Sequence, residues 1–383
     1  MNHSKNWIQD AFFLIFLLFH LEGLETVPCP DFLSRRHFLK VMWNFPKFLV
    51  PIFICVNLVT EIMWLCFISI SRDELVGLMI QCLQMWICIS VFQSRSKIRL
   101  LTEDLYRISN MLHAYTLQEK KMMKIHIWMY CLFVILGTVF LEVMFSRSRF
   151  LAYEELEGLL DPKINSRHLK ERFADFLCFT YGFSILLVNG YCAILPGYYC
   201  FACNCMKQFF LRFEMKSKVL IARHDYHRIL EIFKKMNETM IRMDDLLSLP
   251  ILVSIINILA TLFWFGYSFT FLPNDNNLFG IFIYTGFVQY FVLLMMILPP
   301  AAAANQAAAM AREIILSLAN WFPKRHSIIK SLVCRKFLPK TALTLGKMYR
   351  IDKSMLISAI ATLISYGIVL GTLGSVQSSD DEN

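Results

Sequence analysis

The chain has 383 residues, of which 57% are hydrophobic and only 17% charged, with 34 phenylalanines and a net charge of +9. No water-soluble domain needs so much apolar surface, so the composition excludes an ordinary globular protein and points to an all-α integral membrane protein. A transmembrane β-barrel is excluded as well, because its many alternating segments of about ten residues are missing.

Seven stretches have the hydropathy of spanning helices: 48–70, 75–92, 125–146, 173–203, 249–272, 277–298 and 354–375. Each has at least about 18 residues, enough to cross a hydrocarbon layer of roughly 30 Å. Basic residues set the expected orientation. The segments on the side of the N-terminus carry 31 of the 38 lysines and arginines, and the opposite segments carry 7. Positive charge marks the cytoplasmic side, which places the N-terminus inside and the C-terminus outside. The net charge is then a topology signal and requires no nucleic-acid partner. The expected organisation is a cytoplasmic segment 1–47, six spans with cytoplasmic helical loops over 48–298, cytoplasmic anchor helices over 299–353, a seventh span at 354–375 and an extracellular tail 376–383. None of the 12 cysteines falls in an expected external segment, so no external disulfide can form.

In chain order, the apolar run 11–19 is too short to span and reads as a helix packed on or into the inner face of the bundle. Glu61, Glu142 and Asp175 are carboxylates within or at the ends of spans, where burial is costly enough to make them functional candidates. Leu101, Leu105, Ile108 and Leu112 share one helical face, which predicts a cytoplasmic helix after the second span. The external loop 147–172 is expected to start as a short helix over the outer mouth. Pro196-Gly197 is a possible break in the fourth span, and Cys200, Cys203 and Cys205 at its inner end read as small apolar packing.

From Tyr226 the residues Leu230, Phe233, Met236, Met240, Met243 and Leu247 recur at intervals of 3 and 4. Such a stripe packs against other helices, so the fourth and fifth spans are expected to continue into the cytoplasm. His224 and His227 within this segment read as a solvated face rather than a metal site. Only 273–276 joins the fifth and sixth spans, which therefore form a hairpin. Pro299 and Pro300 are expected to kink or restart the sixth helix before the alanine-rich stretch that follows.

The last span is the focus of the chain. Ser358, Thr362, Ser365, Val369 and Thr372 are spaced 4, 3, 4 and 3 apart, which stacks them on one helical face. Gly367 and Gly371 form a GxxxG pair where another helix can approach closely. Two readings fit: a pore wall, or hydroxyls bonded to their own backbone beside glycines that only pack. No catalytic, nucleotide-binding or cofactor motif is present, and no His/Cys cluster has metal-ligand spacing, so an enzyme is not expected.

The closing run MYRIDKSMLISAIATLISYGIVLGTL resembles the end of the insect and arthropod gustatory receptors. That family ends in Thr-Tyr, five hydrophobic residues and Gln-Phe; here Ser365-Tyr366, then residues 367–371, then Thr372-Leu373 occupy those positions. The resemblance implies a taste receptor of the plasma membrane that works as a ligand-gated, non-selective cation channel, a homotetramer or mixed tetramer with the seventh helices around the pore. It further implies that Tyr366, Gly367 and Gly371 pack the pore helix, that Ser358, Thr362 and Ser365 line its inner path, and that Val369 is the hydrophobic constriction, with Thr372 at the pore-proximal position. A small-molecule tastant would bind in the outer half of the bundle, near Gln81, Glu142, Asp175, Phe179, Tyr267 and Tyr284. The alternatives are an odorant receptor subunit of the same superfamily, a metabotropic seven-helix receptor, which requires the opposite orientation, and a transporter, which requires an internal repeat.

Overall fold

The computed structural model describes residues 7–21, 72–112, 115–159, 167–271, 277–322 and 341–380, with isolated positions between 52 and 59 and between 326 and 333. Glu61, most of the expected first span and the link 273–276 lie outside these residues. The described chain is almost entirely helical: α1 (Trp7–Leu21), α2 (Arg72–Leu112), α3 (Leu117–Leu159), α4 (Arg167–Ala222), α5 (Tyr226–Phe271), α6 (Asn277–Ser317) and α7 (Lys353–Asp380). A two-stranded antiparallel hairpin, β1 (Thr344–Leu345) and β2 (Tyr349–Arg350), precedes α7.

Helix length is the first consequence of the sequence pattern. With 56 residues, α4 is about 84 Å long at 1.5 Å per residue, nearly three times a hydrocarbon layer. The apolar part of α5 grades without interruption into the striped segment, so α5 reaches 46 residues. Among the described residues, three segments are long and apolar enough to cross a membrane, Leu117–Phe140, Tyr226–Phe269 and Gly280–Trp321, and Ala11–His20 and Met79–Ser94 are shorter apolar helices. The expected spans 173–203 and 354–375 lie within α4 and α7.

The core sits around α4, which packs against α1, α2, α3, α5 and α6. Every residue of the expected α5 stripe is buried, from Tyr226 through Met236, Met240 and Met243 to Leu247, and so are Leu101, Leu105, Ile108 and Leu112 of α2. Phe213 of α4 meets Phe233 of α5 with ring centroids 5.7 Å apart. The 11–19 run is the middle of α1, and its Phe12, Phe16 and Phe19 surround Tyr198 of α4. Leu132, Leu136, Val139 and Val143 of α3 are exposed instead, an apolar outer face of the kind that meets lipid.

Two sequence expectations are revised. Of the kink or restart expected at Pro299 and Pro300, the restart does not occur: the helix runs through both to Ser317. A proline inside a helix costs about 3 kcal/mol; here Leu298 and Ala301, either side of the pair, are fully buried, and their packing holds the helix together. Pro196-Gly197 does not break α4 either. Gly197 is a notch: the ring of Tyr130 lies against it where any Cβ would stand, and the Tyr130 hydroxyl donates to the Ala193 carbonyl. The first half of the 147–172 segment is helical, as expected, as the continuation of α3 to Leu159.

Candidate functional site

The start of α7 is held by a clasp that begins in the hairpin turn. Gly346 and Lys347 both take positive φ, 56° and 64°, which closes the turn with the Met348 N–H donating to the Leu345 carbonyl at 3.0 Å. Paired positive φ values suit the tight connection of an antiparallel hairpin. Gly346 is required for space too, since a Cβ there would stand 2.6 Å from Leu252 Cδ2.

Two polar side chains tie this hairpin to the bundle. Asn305 of α6, 2% exposed, donates from Nδ2 to the carbonyls of Leu343 (3.0 Å) and Ile351 (2.7 Å), and its Oδ1 accepts the Leu343 N–H (2.7 Å). Asp244 of α5 accepts the Thr344 N–H (2.6 Å), the Thr344 hydroxyl (2.9 Å) and the Lys347 ammonium (2.8 Å), while Lys347 also pairs with Asp245. Burial pulls the Lys347 ammonium down, but the hydrogen bonds to Asp244 and Asp245 outweigh it and raise its pKa above the ordinary lysine value. α7 then starts on Asp352, whose carboxylate caps it by accepting from the Ser354 hydroxyl (2.6 Å) and the Met355 N–H (3.1 Å). Those two bonds hold the Asp352 carboxyl below the usual carboxylate range.

Beyond the cap, α7 has two unlike faces. Met355, Leu356, Ala359 and Leu363 pack on the core, against α5 and α6. Ser358, Thr362, Ser365 and Val369 are exposed, as their 4, 3, 4 spacing requires once the other face is buried. Ala361, Thr362, Ser365, Tyr366 and Val369 line an open groove of about 390 Å³. The Thr362 hydroxyl donates to the Ser358 carbonyl one turn back, at 2.8 Å, which satisfies the donor while leaving the oxygen outward. Tyr366 is half-exposed and rests edge-on against Phe263 of α5, with centroids 5.5 Å apart. Among the described residues, nothing lies within 4 Å of a Cβ built on Gly367, so none of the described helices packs against that face there. The side chains at Gly371 and Thr372 fall outside the described ones.

The ligand candidates are scattered over five helices. Gln81 on α2 and Tyr267 on α5 are half-buried. Glu142 of α3 and Asp175 and Phe179 of α4 lie where side chains are not described. Tyr284 of α6 is 67% exposed.

A polar layer that the sequence reading missed lies deeper, near the middle of the spans. Tyr290 of α6, 4% exposed, hydrogen-bonds Gln84 of α2 and Thr261 of α5. Thr261 donates to the Asn257 carbonyl at 2.8 Å, and Asn257 Nδ2 lies 3.8 Å from Cys192 Sγ of α4. Among the described residues, Asn257 Oδ1 and Gln289 Oε1 are buried without a hydrogen-bond partner. A buried polar atom left unpaired costs about 1–3 kcal/mol, so these acceptors suit a donor brought by water or ligand. Asparagine and glutamine inside otherwise apolar spans were the available signal.

No family model matches the sequence, and no curated protein is similar to it. The fold is found in solved structures. Over 96% of this chain and 99% of its counterpart, the structure superposes on the insect olfactory receptor OR5 from Machilis hrabei with a TM-score of 0.65 at 11% identity. The same receptor in complex with eugenol gives 0.64 at 12% identity, covering 97% and 99%. At that identity the likeness is one of fold, and the chain has the fold of an insect olfactory receptor over 96% of its length.

Proposed function

We propose that this chain is one subunit of a tetrameric, ligand-gated, non-selective cation channel of the plasma membrane, a chemoreceptor whose α7 helices surround the pore. The observation that carries this reading is the hydroxyl-bearing outer face of α7: among the described residues α2 and α5 bury their stripes and α3 exposes a purely apolar face, whereas α7 turns Ser358, Thr362 and Ser365 outward with Val369. Copies of α7 arranged about an axis would put those hydroxyls on a water path. Val369, the apolar member of the stripe, would be the constriction that closes by dewetting. Gly367 and Tyr366 would then face the neighbouring subunit.

The ligand is a small molecule that binds within the bundle, and binding shifts the closed-to-open equilibrium of α7. Moving the pore from about 1% to about 99% open takes roughly 5.5 kcal/mol of differential binding, or about 1.4 kcal/mol for each of four subunits. One or two hydrogen bonds made better in the open state supply that much. Gln84, Asn257, Gln289 and Tyr290 join Gln81 and Tyr267 as the side chains offered to such a ligand. The ending at Ser365-Tyr366 supports a taste receptor. The olfactory fold likeness supports an odorant receptor subunit equally well, and both are channels of one superfamily.

Cysteine substitution along 358–372, with current recorded as a thiol reagent is added, tests the pore. Block at 358, 362, 365, 369 and 372 with none at 360 supports the stripe as the wall, and indifference at every position removes it. An epitope at Asn383 reached only from inside the cell would favour a metabotropic receptor instead.

A further inference from the structure

We propose that the polar layer between α2, α3, α5 and α6 takes a neutral small molecule that carries a hydroxyl, with Gln289 and Asn257 as the acceptors that determine this specificity. The proposal rests on the ligand reading of the layer above and deepens it by naming the chemical class. Three polar atoms of the layer are buried with no hydrogen-bond partner among the described residues: Thr138 Oγ1 on α3, Asn257 Oδ1 on α5 and Gln289 Oε1 on α6. The three residues are 8%, 0% and 4% exposed, so bulk water does not satisfy them. Two of these atoms are carbonyl oxygens, which only accept, and the third is a hydroxyl, which accepts and donates. Tertiary contacts bring them to one level. Tyr290, next to Gln289, hydrogen-bonds Thr261, and the Thr261 hydroxyl donates to the Asn257 carbonyl at 2.8 Å. Gln289 lies across Gly137, where a Cβ would stand 2.9 Å from its Oε1, so the missing side chain lets the amide rest against α3 one residue from Thr138.

The missing partners state what an occupant must bring. A carbonyl oxygen requires a donor, and a hydroxyl group answers an acceptor and a donor through one atom. A bridging water makes good hydrogen bonds to such groups, and a ligand that displaces it keeps its affinity only where its own group repeats them. An alcohol or phenol repeats them. The methyl ether of the same skeleton only accepts, so it faces two acceptors and repeats neither. Charge is selected against as well: the described side chains of the layer are amides, hydroxyls and the Cys192 thiol, with no carboxylate, ammonium or guanidinium among them. An ionised ligand would be buried there without a counter-charge, which costs more than one unpaired hydrogen bond.

The test measures binding to the purified full-length chain in lipid nanodiscs, against empty nanodiscs, so that conduction plays no part in the readout. The probes are 2-phenylethanol, its methyl ether, 2-phenylethylammonium and phenylacetate, with 4-ethylphenol and its methyl ether as a second skeleton. Each hydroxyl compound should bind at least about tenfold more tightly than its ether, and neither ion should bind saturably. Gln289→Met keeps the volume and removes the acceptor, so it should narrow the hydroxyl-to-ether ratio to within about twofold. Its melting temperature should lie no more than about 3 °C below that of the unaltered chain, because the atom removed has no protein partner to lose. A larger fall shows such a partner and overturns the acceptor role of Gln289. Asn257→Leu should narrow the ratio in the same direction and carries the test if Gln289→Met fails to accumulate. A ratio unchanged in the variants, or an ion that binds as tightly as the alcohol, overturns the assignment. Equal binding of alcohol and ether overturns the class and leaves a ligand site in the bundle. Saturable binding of neither hydroxyl compound overturns the class and the ligand reading of this layer together, and the current measurements decide the pore independently.

Discussion

The helices that meet around the α4–α5 turn and the helix α7 are built from similarly apolar segments and end in opposite conditions. Around the turn, Met236, Met240 and Met243 are completely buried between α2, α4 and α5, and charged residues such as Arg212 and Glu119 pair across helices at 2.7 Å. On α7, by contrast, Ile357 is 68% exposed and Ile364 58% exposed. The first region satisfies itself within one chain. The second is tied to the bundle by hydrogen bonds at its clasped end and leaves large side chains exposed beyond it. The difference teaches that exposure in a lone subunit marks surfaces open to partners from outside it, which on the proposed reading are lipid for α3 and other subunits for α7.

The strongest challenge to this contrast is a pair of truncations. Phe213→Ala should cost about 3–5 kcal/mol, because it empties a fully buried site against Phe233, whereas Ile364→Ala should cost under about 0.5 kcal/mol in the detergent-solubilised monomer. Similar shifts in melting temperature for the two would erase the distinction. Next in size, Asp244→Ala removes the acceptor for the Thr344 N–H, the Thr344 hydroxyl and Lys347. It should cost about 2–3 kcal/mol, visible as an early unfolding phase confined to the hairpin in a protease-protection series.

A smaller effect comes from Glu119, which accepts the Thr116 N–H at 2.7 Å and pairs with Arg212. The Thr116 bond, then burial acting in the opposite sense, then the Thr116 hydroxyl and Arg212 leave its carboxyl below the ordinary 4.5. A depressed carboxyl stabilises the fold above its unfolded value, so this contribution is intact at neutral pH and is lost as pH falls below 4.5. Glu119 is 41% exposed and Arg212 31%, so the loss should stay under about 1 kcal/mol and shrink in salt. A Glu119→Gln chain whose melting temperature still falls equally over that window would assign the effect elsewhere. The smallest change sharpens the comparison most. Gly367→Leu should leave the monomer within about 0.5 kcal/mol, since among the described residues nothing stands within 4 Å of an added Cβ, and should reduce the tetramer fraction on native electrophoresis. An unaltered tetramer would mean that this face meets lipid.

Much of this architecture was legible from local pattern. The stripes at 101–112 and 226–247 are buried where their spacing puts them, and α4 and α5 run on past their apolar segments as the continuing periodicity requires. The hydroxyl stripe of α7 was legible in the same way. Prolines misled, because a breaker weighs about 3 kcal/mol in an isolated helix and the packing around Leu298 and Ala301 is not visible from either neighbour. The hairpin was missed because two strands of two residues are too short to show any alternation.

Sequence by itself determined which segments are helical, which faces are apolar and where charge is excluded, because periodicity and composition act over a few neighbouring residues. Tertiary structure alone decided that Asn305 closes a hairpin 38 residues away and that Gly197 receives Tyr130. It also decided that α7 faces outward. Those outcomes depend on which distant surfaces meet, and the free energy of such a meeting is a property of the packed pair rather than of either segment.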